Sequence, residues 1–356
     1  MTFNLAKCDY CGDCFALCKY SNYNKEESIQ QIKKLIKGEF AEILTKCVTC
    51  AACNSYCIKG ANPFDLILRY QEKYKAYKTS ESYYHLVENI DKSRGEIIKG
   101  KPGKPVINIC VVDVIPNLFE GALFEDCTFL KGGEFESLLG WIHVGKEKPL
   151  RETLQKKVSA LGNTGFPEIV MFHDDCYAAY TTKAMEYGID VPFRVKHYVE
   201  YLRDYIIQRK NKVKKINLKV AYQPPCSSRY SPWIDKTIDE LFGLISVERV
   251  KRKYDRLNAL CCGCAVSPHL GHEKGELYKS LNIQDAKIHG AQAIVFMCPF
   301  CALQMREEAN KSGLEPIFLT NLVRMALGEK LLFQAAGLGD NRVEIVAAVN
   351  IVKGLI

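Results

Sequence analysis

Short apolar runs alternate with helical patterns over most of the chain beyond residue 105. Four of these runs contain four to seven residues each and have the character of buried parallel-type strands: residues 106–112, 169–172, 218–222 and 294–297. Each run lies ahead of a stretch with helical periodicity. Because strands that alternate with helices are typical of α/β domains, we expect α/β architecture in this part of the chain.

The first 95 residues carry a different pattern. Residues 26–43 and residues 64–90 each place apolar side chains at three- and four-residue steps, which predicts amphipathic helices. We expect the tyrosine stripe of the second segment to pack against the following domain. Glycine and proline are frequent in residues 96–105, which predicts a linker because both residue types interrupt regular structure.

The two α/β stretches form an internal repeat at an offset of 125 residues. Residues 169–176 fall on residues 294–301, Gly188 falls on Gly313, and Phe193 falls on Phe318. In both copies a strand-like run leads directly into a tetrapeptide with metal-binding side chains. Such folds place ligand sites at the carboxyl ends of their strands.

These patterns divide the chain into four segments and predict an α+β fold class overall. We expect a mostly α-helical module at residues 1–95, a linker at residues 96–105, a first α/β repeat at residues 106–216 and a second at residues 217–356.

Composition changes this picture mainly through cysteine. The chain has 356 residues, of which 47% are hydrophobic and 25% are charged, as in an ordinary soluble protein, but seventeen are cysteines. Residues 1–20 lack the apolar core and cleavage site of a signal peptide. We therefore expect a cytoplasmic protein whose cysteines bind metal instead of forming disulfides.

Charge and hydropathy limit the classes of partner. No stretch reaches the ~18 to 20 apolar residues needed to span a bilayer, and residues 345–356, which come nearest, are short and interrupted by Asn350 and Lys353. Any membrane association is then expected through a partner. The net charge of +8 comes without a nucleic-acid-binding motif, so we expect no nucleic-acid partner. It indicates a solvated basic surface or a docking face for an acidic redox protein.

Two identical cysteine runs mark the N-terminal module. Both have the spacing C-x2-C-x2-C-x3-C: Cys8, Cys11, Cys14 and Cys18, then Cys47, Cys50, Cys53 and Cys57. In two-cluster ferredoxins the first three cysteines of such a run bind one [4Fe–4S] cubane and the fourth binds the other. We therefore predict one cubane on Cys8, Cys11, Cys14 and Cys57, and a second on Cys47, Cys50, Cys53 and Cys18.

Zinc is the competing use of paired cysteines. Zinc sites close with four ligands, usually in two-by-two spacing, so two runs of four favour iron–sulfur clusters. One departure from the ferredoxin pattern concerns the residue after the fourth cysteine. It is often proline, whereas this chain has Lys19 and Ile58. The local turn argument is weaker for this reason, but the number of ligands is unchanged.

The second α/β repeat contains five further cysteines with the pattern C-x34-CC-G-x34-C-x2-C. They are Cys226, Cys261, Cys262, Cys298 and Cys301. The pattern resembles the CCG, or cysteine-rich, domain of the catalytic subunit of heterodisulfide reductase, and the resemblance extends to residues 221–226, to Leu260-Cys261-Cys262-Gly263 and to residues 297–301. It implies a noncubane [4Fe–4S] cluster on these five cysteines and a pair of pseudo-symmetric CCG-type α/β domains.

The first repeat has lost most of this pattern. His173 stands in place of the first cysteine of the closing C-x2-C, and Leu138-Leu139-Gly140 stands near the position of Cys-Cys-Gly, where the strict offset would give Glu136 and Ser137. A second noncubane cluster is therefore not expected. Two alternatives stay open. One is a mononuclear metal such as zinc on His173, Cys176 and either Cys110 or Asp174, and the other is a metal-free relic in which Cys127 and Cys264 are ordinary thiols.

Two cubanes and a third, unusual cluster predict an electron-transfer protein. The resemblance implies an iron–sulfur subunit of a heterodisulfide-reductase-like oxidoreductase that exchanges electrons with a flavoprotein or a membrane quinone-linked subunit. No G-x-G-x-x-G nucleotide fingerprint is present, so a flavin or nicotinamide would belong to a partner. The alternatives are a disulfide or thiol reductase at the single noncubane cluster, a subunit of a 2-hydroxyacid or glycerol-3-phosphate dehydrogenase, and a scaffold stabilised by clusters.

Overall fold

The computed structural model describes residues 3–78, 81–112 and 118–329, without the side chains of Ser82, Tyr83 and Leu86. Within these ranges a helical N-terminal module precedes two sheets of mainly parallel strands, which confirms the predicted α+β class. The apolar run at residues 345–356 lies outside the described residues.

The described part of the N-terminal module contains helices of very different length. They are α1 (Asp13–Ala16), α2 (Lys25–Ile36), α3 (Ile43–Lys46), α4 (Ala52–Tyr56), α5 (Pro63–Tyr74) and α6 (Glu81–Lys92). The helix predicted at residues 26–43 ends early because Gly38 takes a left-handed conformation, with φ +79°, two residues after α2. The helix predicted at residues 64–90 is two helices because Lys75, with φ +50°, closes α5 in the same way.

The first repeat forms a five-stranded sheet in the order β1-β3-β2-β4-β5. Its strands are β1 (Glu96–Ile98), β2 (Val106–Cys110), β3 (Thr128–Lys131), β4 (Glu168–Met171) and β5 (Arg194–His197). Its helices are α7 (Lys148–Gly162), α8 (Asp174–Ala178), α9 (Ala184–Glu186) and α10 (Tyr198–Gln208), with a π-helical turn at Ala179–Lys183 between α8 and α9. Strand β1 lies inside the predicted linker and pairs antiparallel with β3, so that segment is partly ordered into the sheet.

The second repeat forms a four-stranded, all-parallel sheet in the order β7-β6-β8-β9. Its strands are β6 (Leu218–Gln223), β7 (Val247–Arg249), β8 (Ala293–Phe296) and β9 (Glu315–Phe318). Its helices are α11 (Ile234–Leu244), α12 (Val266–Leu270), α13 (His272–Ile288), α14 (Pro299–Lys311) and α15 (Leu319–Ala326). All residues of β8 are buried, as the continuous apolar run predicts.

The two sheets have the same strand order once β1 is set aside, so the predicted pseudo-symmetry is present. The register of β4 with β5 and of β8 with β9 makes His197 equivalent to Phe318. The alignment of Phe193 with Phe318 was therefore wrong. The first repeat has four more residues than the second between Gly188 and this position.

Matching hydrogen bonds support the equivalence of the two repeats. In the middle of β2, Asn108 Nδ2 donates to the carbonyl oxygen of Phe135 at 2.9 Å, and at the end of β6, Gln223 Nε2 donates to that of Leu260 at 3.0 Å. The residue after each of these carbonyl groups is a potential metal ligand at the start of a loop. It is Glu136 in the first repeat and Cys261 in the second. The side-chain amides thus fix both loops against the central strands.

The N-terminal module packs on both repeats. The Tyr77 hydroxyl donates to the carbonyl oxygen of Ala265 at 2.9 Å, and its ring stacks on His269 at a centroid distance of 4.0 Å. Lys183, buried in the first repeat, contacts Asp65 of α5 at 3.2 Å. The tyrosines of residues 64–90 were expected to pack against the following domain. Tyr77, one of them, contacts the second repeat.

Candidate metal centres

The two N-terminal cysteine loops have the same backbone conformation. Tyr10 and Thr49 have φ values of +60° and +56°, and Gly12 and Ala51, at the N-caps of α1 and α4, have φ values of +79° and +56°. A left-handed conformation is costly for side chains other than glycine, and such strain is concentrated at functional sites. Two left-handed residues per loop turn the chain tightly around a common centre.

The first group of cysteines combines both runs. The pKa of the Cys14 thiol is raised by burial and then by its neighbours Cys11, Cys57 and Cys8. The pKa of Cys8 is raised by burial and by Cys57. Cys57, the fourth cysteine of the second run, therefore lies beside the first three of the first run.

The second group shows the reciprocal arrangement. Burial raises the pKa of the Cys53 thiol, and Cys47, Cys50 and Cys18 are among the neighbours that raise it further. Cys18, the fourth cysteine of the first run, thus lies with the first three of the second run. The four cysteines of this group line one pocket between the loops, together with Cys14 and apolar side chains of α1, α3, α4 and α5.

The five cysteines of the second repeat form a continuous series of contacts. Cys261 interacts with Cys226 and Cys262, and Cys301 interacts with Cys262 and Cys298. Cys226 follows β6, whereas Cys298 caps α14 directly after β8, so the sheet brings together residues that are more than seventy positions apart. Cys226 and Cys298 are partly exposed and the other three are buried.

Two further residues near this group have different roles. Desolvation raises the pKa of the Cys264 thiol, and the charges of the nearby Cys261 and Cys298 raise it further. Gln223 is the last residue of β6. It is buried, and its amide donates to Leu260 and accepts a hydrogen bond from Asn282, so it supports the loop instead of facing solvent.

Tyr20 and Arg229 join the second ferredoxin-type group to the five-cysteine group. The Cys261 backbone N–H donates to the Tyr20 hydroxyl at 2.8 Å, and the charges of Cys50 and Cys261 both raise the pKa of that hydroxyl, after burial. Arg229 donates through Nη1 to the carbonyl oxygen of Cys50 at 3.2 Å, and its guanidinium interacts with the Cys226 thiol. Both side chains therefore lie between the two groups.

The chemistry of these donors suits iron–sulfur clusters. None of the seventeen cysteines, all of which lie in the described ranges, forms a disulfide. Burial and neighbouring thiols raise the pKa of Cys14, Cys47 and Cys53, and bound iron would supply the positive charge that stabilises thiolates. Arg229 Nε, a buried donor beside Cys50 and Cys226, has no hydrogen-bond partner among the described residues.

The first repeat also brings potential ligands together. Cys110, Glu136, His173 and Cys176 are buried, and their ligand atoms all lie within 4.8 Å of one another. We call these residues the first-repeat quartet. Glu136 and Ser137, and not Leu138-Leu139-Gly140, occupy the positions of Cys261 and Cys262, and Leu138, with φ +61°, corresponds to Gly263, with φ +104°. The strict offset of the repeat therefore holds in this loop.

Asp174 is not part of the quartet. Its Oδ1 lies 2.8 Å from His197 Nε2, and its Oδ2 accepts a hydrogen bond from Ser227 at 2.6 Å. Glu136 was the residue missed as a candidate ligand, although its place 125 residues before Cys261 was a usable signal.

Asp175 lies between the quartet and the five-cysteine group. Its carboxylate is 3.4 Å from His143 Nε2 and 3.9 Å from His173 Nε2, and the charges of the two histidines hold its pKa well below the ordinary value despite burial. The charges of Cys298 and Cys261 in turn help to raise the pKa of His143 against the effect of burial. A polar connection therefore runs between the two repeats.

Residues 220–306 match the family model described as the cysteine-rich domain, CCG, and this range contains all five cysteines of the second group. This part of the chain is therefore similar to CCG cysteine-rich domains. Two curated relatives extend the similarity. One belongs to the fumarate reductase (CoM/CoB) of Methanothermobacter marburgensis and is 24% identical over 328 residues, 81% of this chain and 62% of the relative. The other belongs to the dihydromethanophenazine:CoB–CoM heterodisulfide reductase of Methanosarcina mazei and is 27% identical over 195 residues, 53% of this chain and 47% of the relative.

The CCG domain and these relatives confirm the predicted resemblance to heterodisulfide-reductase-like iron–sulfur subunits. Both relatives are named as subunits of reductases, in line with the predicted oxidoreductase subunit. The chain spans 62% and 47% of their lengths.

A crystal structure of a hypothetical protein from Helicobacter pylori has a similar fold, with a TM-score of 0.56 and 12% identity over 93% of this chain and 71% of that one. Among the described residues, the helices are all too short or too polar to cross a bilayer.

Proposed function

We propose that this chain is an electron-transfer subunit of a heterodisulfide-reductase-like complex. It would carry two cubane [4Fe–4S] clusters in the N-terminal module and one noncubane [4Fe–4S] cluster in the CCG domain. The observation that carries the proposal is the position of Tyr20, whose hydroxyl accepts a hydrogen bond from Cys261 and lies close to Cys50. The two cluster sites are therefore immediate neighbours.

The arrangement of the N-terminal cysteines supports crossed ligation. Cys57 lies with Cys8, Cys11 and Cys14, and Cys18 lies with Cys47, Cys50 and Cys53, as two-cluster ferredoxin modules require. Each cluster would then join the two loops. The first site, the second site and the CCG site would form a series along which single electrons pass.

The bound clusters would supply one-electron redox chemistry at potentials set by their surroundings. The protein excludes water by burying Cys47, Cys50 and Cys53, and it places the half-buried guanidinium of Arg229 beside Cys50. A positive charge at this position favours the reduced, more negative state of either neighbouring cluster.

The names of the relatives suggest the kind of complex. One relative belongs to a fumarate reductase (CoM/CoB) and the other to a heterodisulfide reductase. By analogy we propose that this chain works with other redox subunits, a flavoprotein or a quinone-linked membrane subunit. The net charge of +8 would favour an acidic docking face on such a partner.

Iron and sulfide analysis with EPR spectroscopy on anaerobically purified full-length protein tests this proposal. We expect about twelve irons per chain, as three four-iron clusters require. The Cys298→Ser variant should lose the noncubane signal and about four irons, whereas Cys127→Ser, which changes a thiol outside all three groups, should lose none. About eight irons in the unaltered chain would overturn the noncubane assignment.

A disulfide reductase acting at the CCG site is the second candidate. It is favoured by the partial exposure of Cys226 and Cys298 and by the proximity of His143 to Cys298. Cleavage of a disulfide to two thiols consumes two electrons, which the clusters would deliver singly, and two protons. A new paramagnetic signal that appears when a disulfide is added to protein with partly reduced clusters, and that is lost in Cys298→Ser, would support this function. Absence of the signal would leave the relay role alone.

A further inference from the structure

The first-repeat quartet has the dimensions of a four-coordinate metal site. Cys110 Sγ lies 3.9 Å from His173 Nδ1, His173 Nδ1 lies 3.5 Å from Glu136 Oε2, and Cys176 Sγ lies 3.6 Å from the same oxygen. Ligands on a tetrahedral zinc ion, with bonds of about 2.0 to 2.3 Å, are about 3.4 to 3.8 Å apart. The observed separations need only small side-chain adjustments to match.

The quartet occupies the ligand positions of the degenerate repeat. Three of its members stand 125 residues before CCG cysteines: Glu136 before Cys261, His173 before Cys298, and Cys176 before Cys301. The fourth, Cys110, is fixed by sheet register. Ile107 pairs with Val170 as Tyr222 pairs with Val295, which places Cys110 one residue before the equivalent of Cys226. The repeat has therefore exchanged cluster thiolates for a mixed donor set.

Surrounding groups orient the donors. The Leu138 backbone N–H donates to Glu136 Oε1 at 3.3 Å, which leaves Oε2 directed at His173 and Cys176. His173 turns Nδ1 toward the quartet and Nε2 toward Asp175, whose Oδ2 is 3.9 Å away. Histidine ligands of metals usually hold their second nitrogen near a carboxylate in this way, which fixes the tautomer and the ring orientation.

We propose that the first repeat binds a single zinc ion through Cys110 Sγ, Glu136 Oε2, His173 Nδ1 and Cys176 Sγ. Two thiolates cannot hold a [4Fe–4S] cluster, whereas two sulfurs, one nitrogen and one oxygen suit tetrahedral zinc. Four protein ligands in a buried site leave no open position, so the zinc is structural. By fixing His173 it also fixes Asp175 and, through it, His143 beside the CCG cysteines.

Metal analysis of the full-length protein, purified anaerobically in zinc-containing medium, tests the site. We expect about one zinc per chain in addition to iron, as one closed site requires. The Cys110→Ser/Cys176→Ser variant should contain less than about a fifth of that zinc with its iron content unchanged. The matched control Cys127→Ser, which alters another buried thiol of the same repeat, should retain its zinc.

Zinc K-edge X-ray absorption separates the quartet from zinc that replaces iron in a cluster site. The quartet predicts about two sulfurs near ~2.3 Å and two nitrogen or oxygen atoms near ~2.0 Å, whereas a substituted cluster site would show sulfur alone. A sulfur-only shell, absence of zinc, or full retention of zinc in the double variant would each overturn the proposal.

A milder variant covers the case in which the double variant does not fold. Asp175→Asn keeps the shape of the side chain that orients His173 but weakens its interaction with the ring. We expect it to lose zinc to a chelator with an affinity reduced about 10- to 100-fold, without loss of iron. Unchanged retention of zinc in this variant would contradict the assigned orientation of His173.

Discussion

His173 and Cys298 occupy the same place in the two repeats. Each is the N-cap of the helix that follows one strand of its sheet, β4 for His173 and β8 for Cys298, with φ and ψ of −85° and 124° for His173 and −85° and 127° for Cys298. The backbone that presents a potential ligand is thus retained although the ligand differs. The two repeats have kept their scaffold and diverged in the groups that the scaffold presents.

Replacement of Cys18 by serine should remove the cluster of the second cysteine loop. The cluster of the first loop, which contains Cys18 in sequence, should be retained. The expected result is a loss of about four irons per chain and the loss of magnetic coupling between two reduced cubanes in the EPR spectrum. The reason is that Cys18 lies with Cys47, Cys50 and Cys53. Cys264→Ser serves as the control and should keep all the iron. If the cubane that remains in Cys18→Ser is lost when Cys47 is also replaced, the remaining cluster is that of the second loop, and ligation is not crossed.

Removal of the Arg229 charge should lower the reduction potentials of the second cubane and of the CCG cluster. In Arg229→Met both would lose a half-buried cation that stabilises their reduced states, and we expect shifts on the order of 50 mV, the equivalent of about 1.2 kcal/mol for one electron. Redox titration followed by EPR measures the shifts.

Two control variants accompany this measurement. Arg229→Lys retains the charge and should shift the potentials less, and Arg194→Met, at a side chain that is 71% exposed, should shift neither. Equal potentials in Arg229→Met and the unaltered protein would show that the charge of Arg229 does not set the reduction potentials of the clusters.

Acidification should weaken the protein through His269. Burial lowers the pKa of this histidine to about 4, so the folded state holds it neutral where it stacks on Tyr77. Unfolded histidine has a pKa near ~6.5, and as the pH falls from about 6.5 toward 4 the unfolded state gains a proton that the folded state does not, which lowers the free energy of unfolding. Because the ring is partly exposed, we expect a loss of about 1 kcal/mol between pH of about 7.5 and 5.5.

Denaturant titrations under anaerobic conditions at the two pH values measure this effect. In His269→Phe, which keeps an aromatic ring against Tyr77 and removes the titrating group, the difference between the two pH values should shrink. His85→Gln, at a side chain that is 73% exposed, provides the comparison and should leave the difference as it is. An unchanged pH dependence in His269→Phe would assign the acid sensitivity to other groups.

Local sequence patterns predicted the scaffold well. The four apolar runs are β2, β4, β6 and β8, and the repeat offset relates most of the ligand positions correctly. The errors arose where tertiary structure decides. Strand β1 forms in the predicted linker because β3 offers it a free edge, and the four extra residues after Gly188 are visible only once the strands are paired.

Contacts between distant parts of the chain could not be predicted from spacing. The hydrogen bond of Tyr20 with Cys261 joins residues 241 positions apart, and that of Arg229 with Cys50 joins residues 179 positions apart. Neither Tyr20 nor Arg229 belongs to a cysteine motif. Glu136 was also missed, because two leucines next to a glycine resembled the Cys-Cys-Gly turn more than Glu136 and Ser137 did.

Gly12→Ala should destabilise the first cysteine loop. Gly12 has φ +79°, and a Cβ atom built there would lie 2.8 Å from Ile29 Cγ1 and 3.1 Å from the Lys25 carbonyl oxygen, both of α2. Strain and crowding together should cost about 1–3 kcal/mol. Gly103→Ala is the control, because Gly103 has nearly the same φ, +77°, but nothing lies within 4 Å of a Cβ atom built there. The difference between the two variants therefore measures the crowding alone.

The rate of iron release to a chelator at a fixed denaturant concentration measures the effect. Release should be faster in Gly12→Ala than in Gly103→Ala, and the iron lost first should be that of the cluster bound by Cys8, Cys11, Cys14 and Cys57. Ala51, at the corresponding position of the second loop, shows that the left-handed conformation alone can be tolerated by alanine. Equal release rates in the two glycine variants would therefore mean that α2 moves aside at little cost.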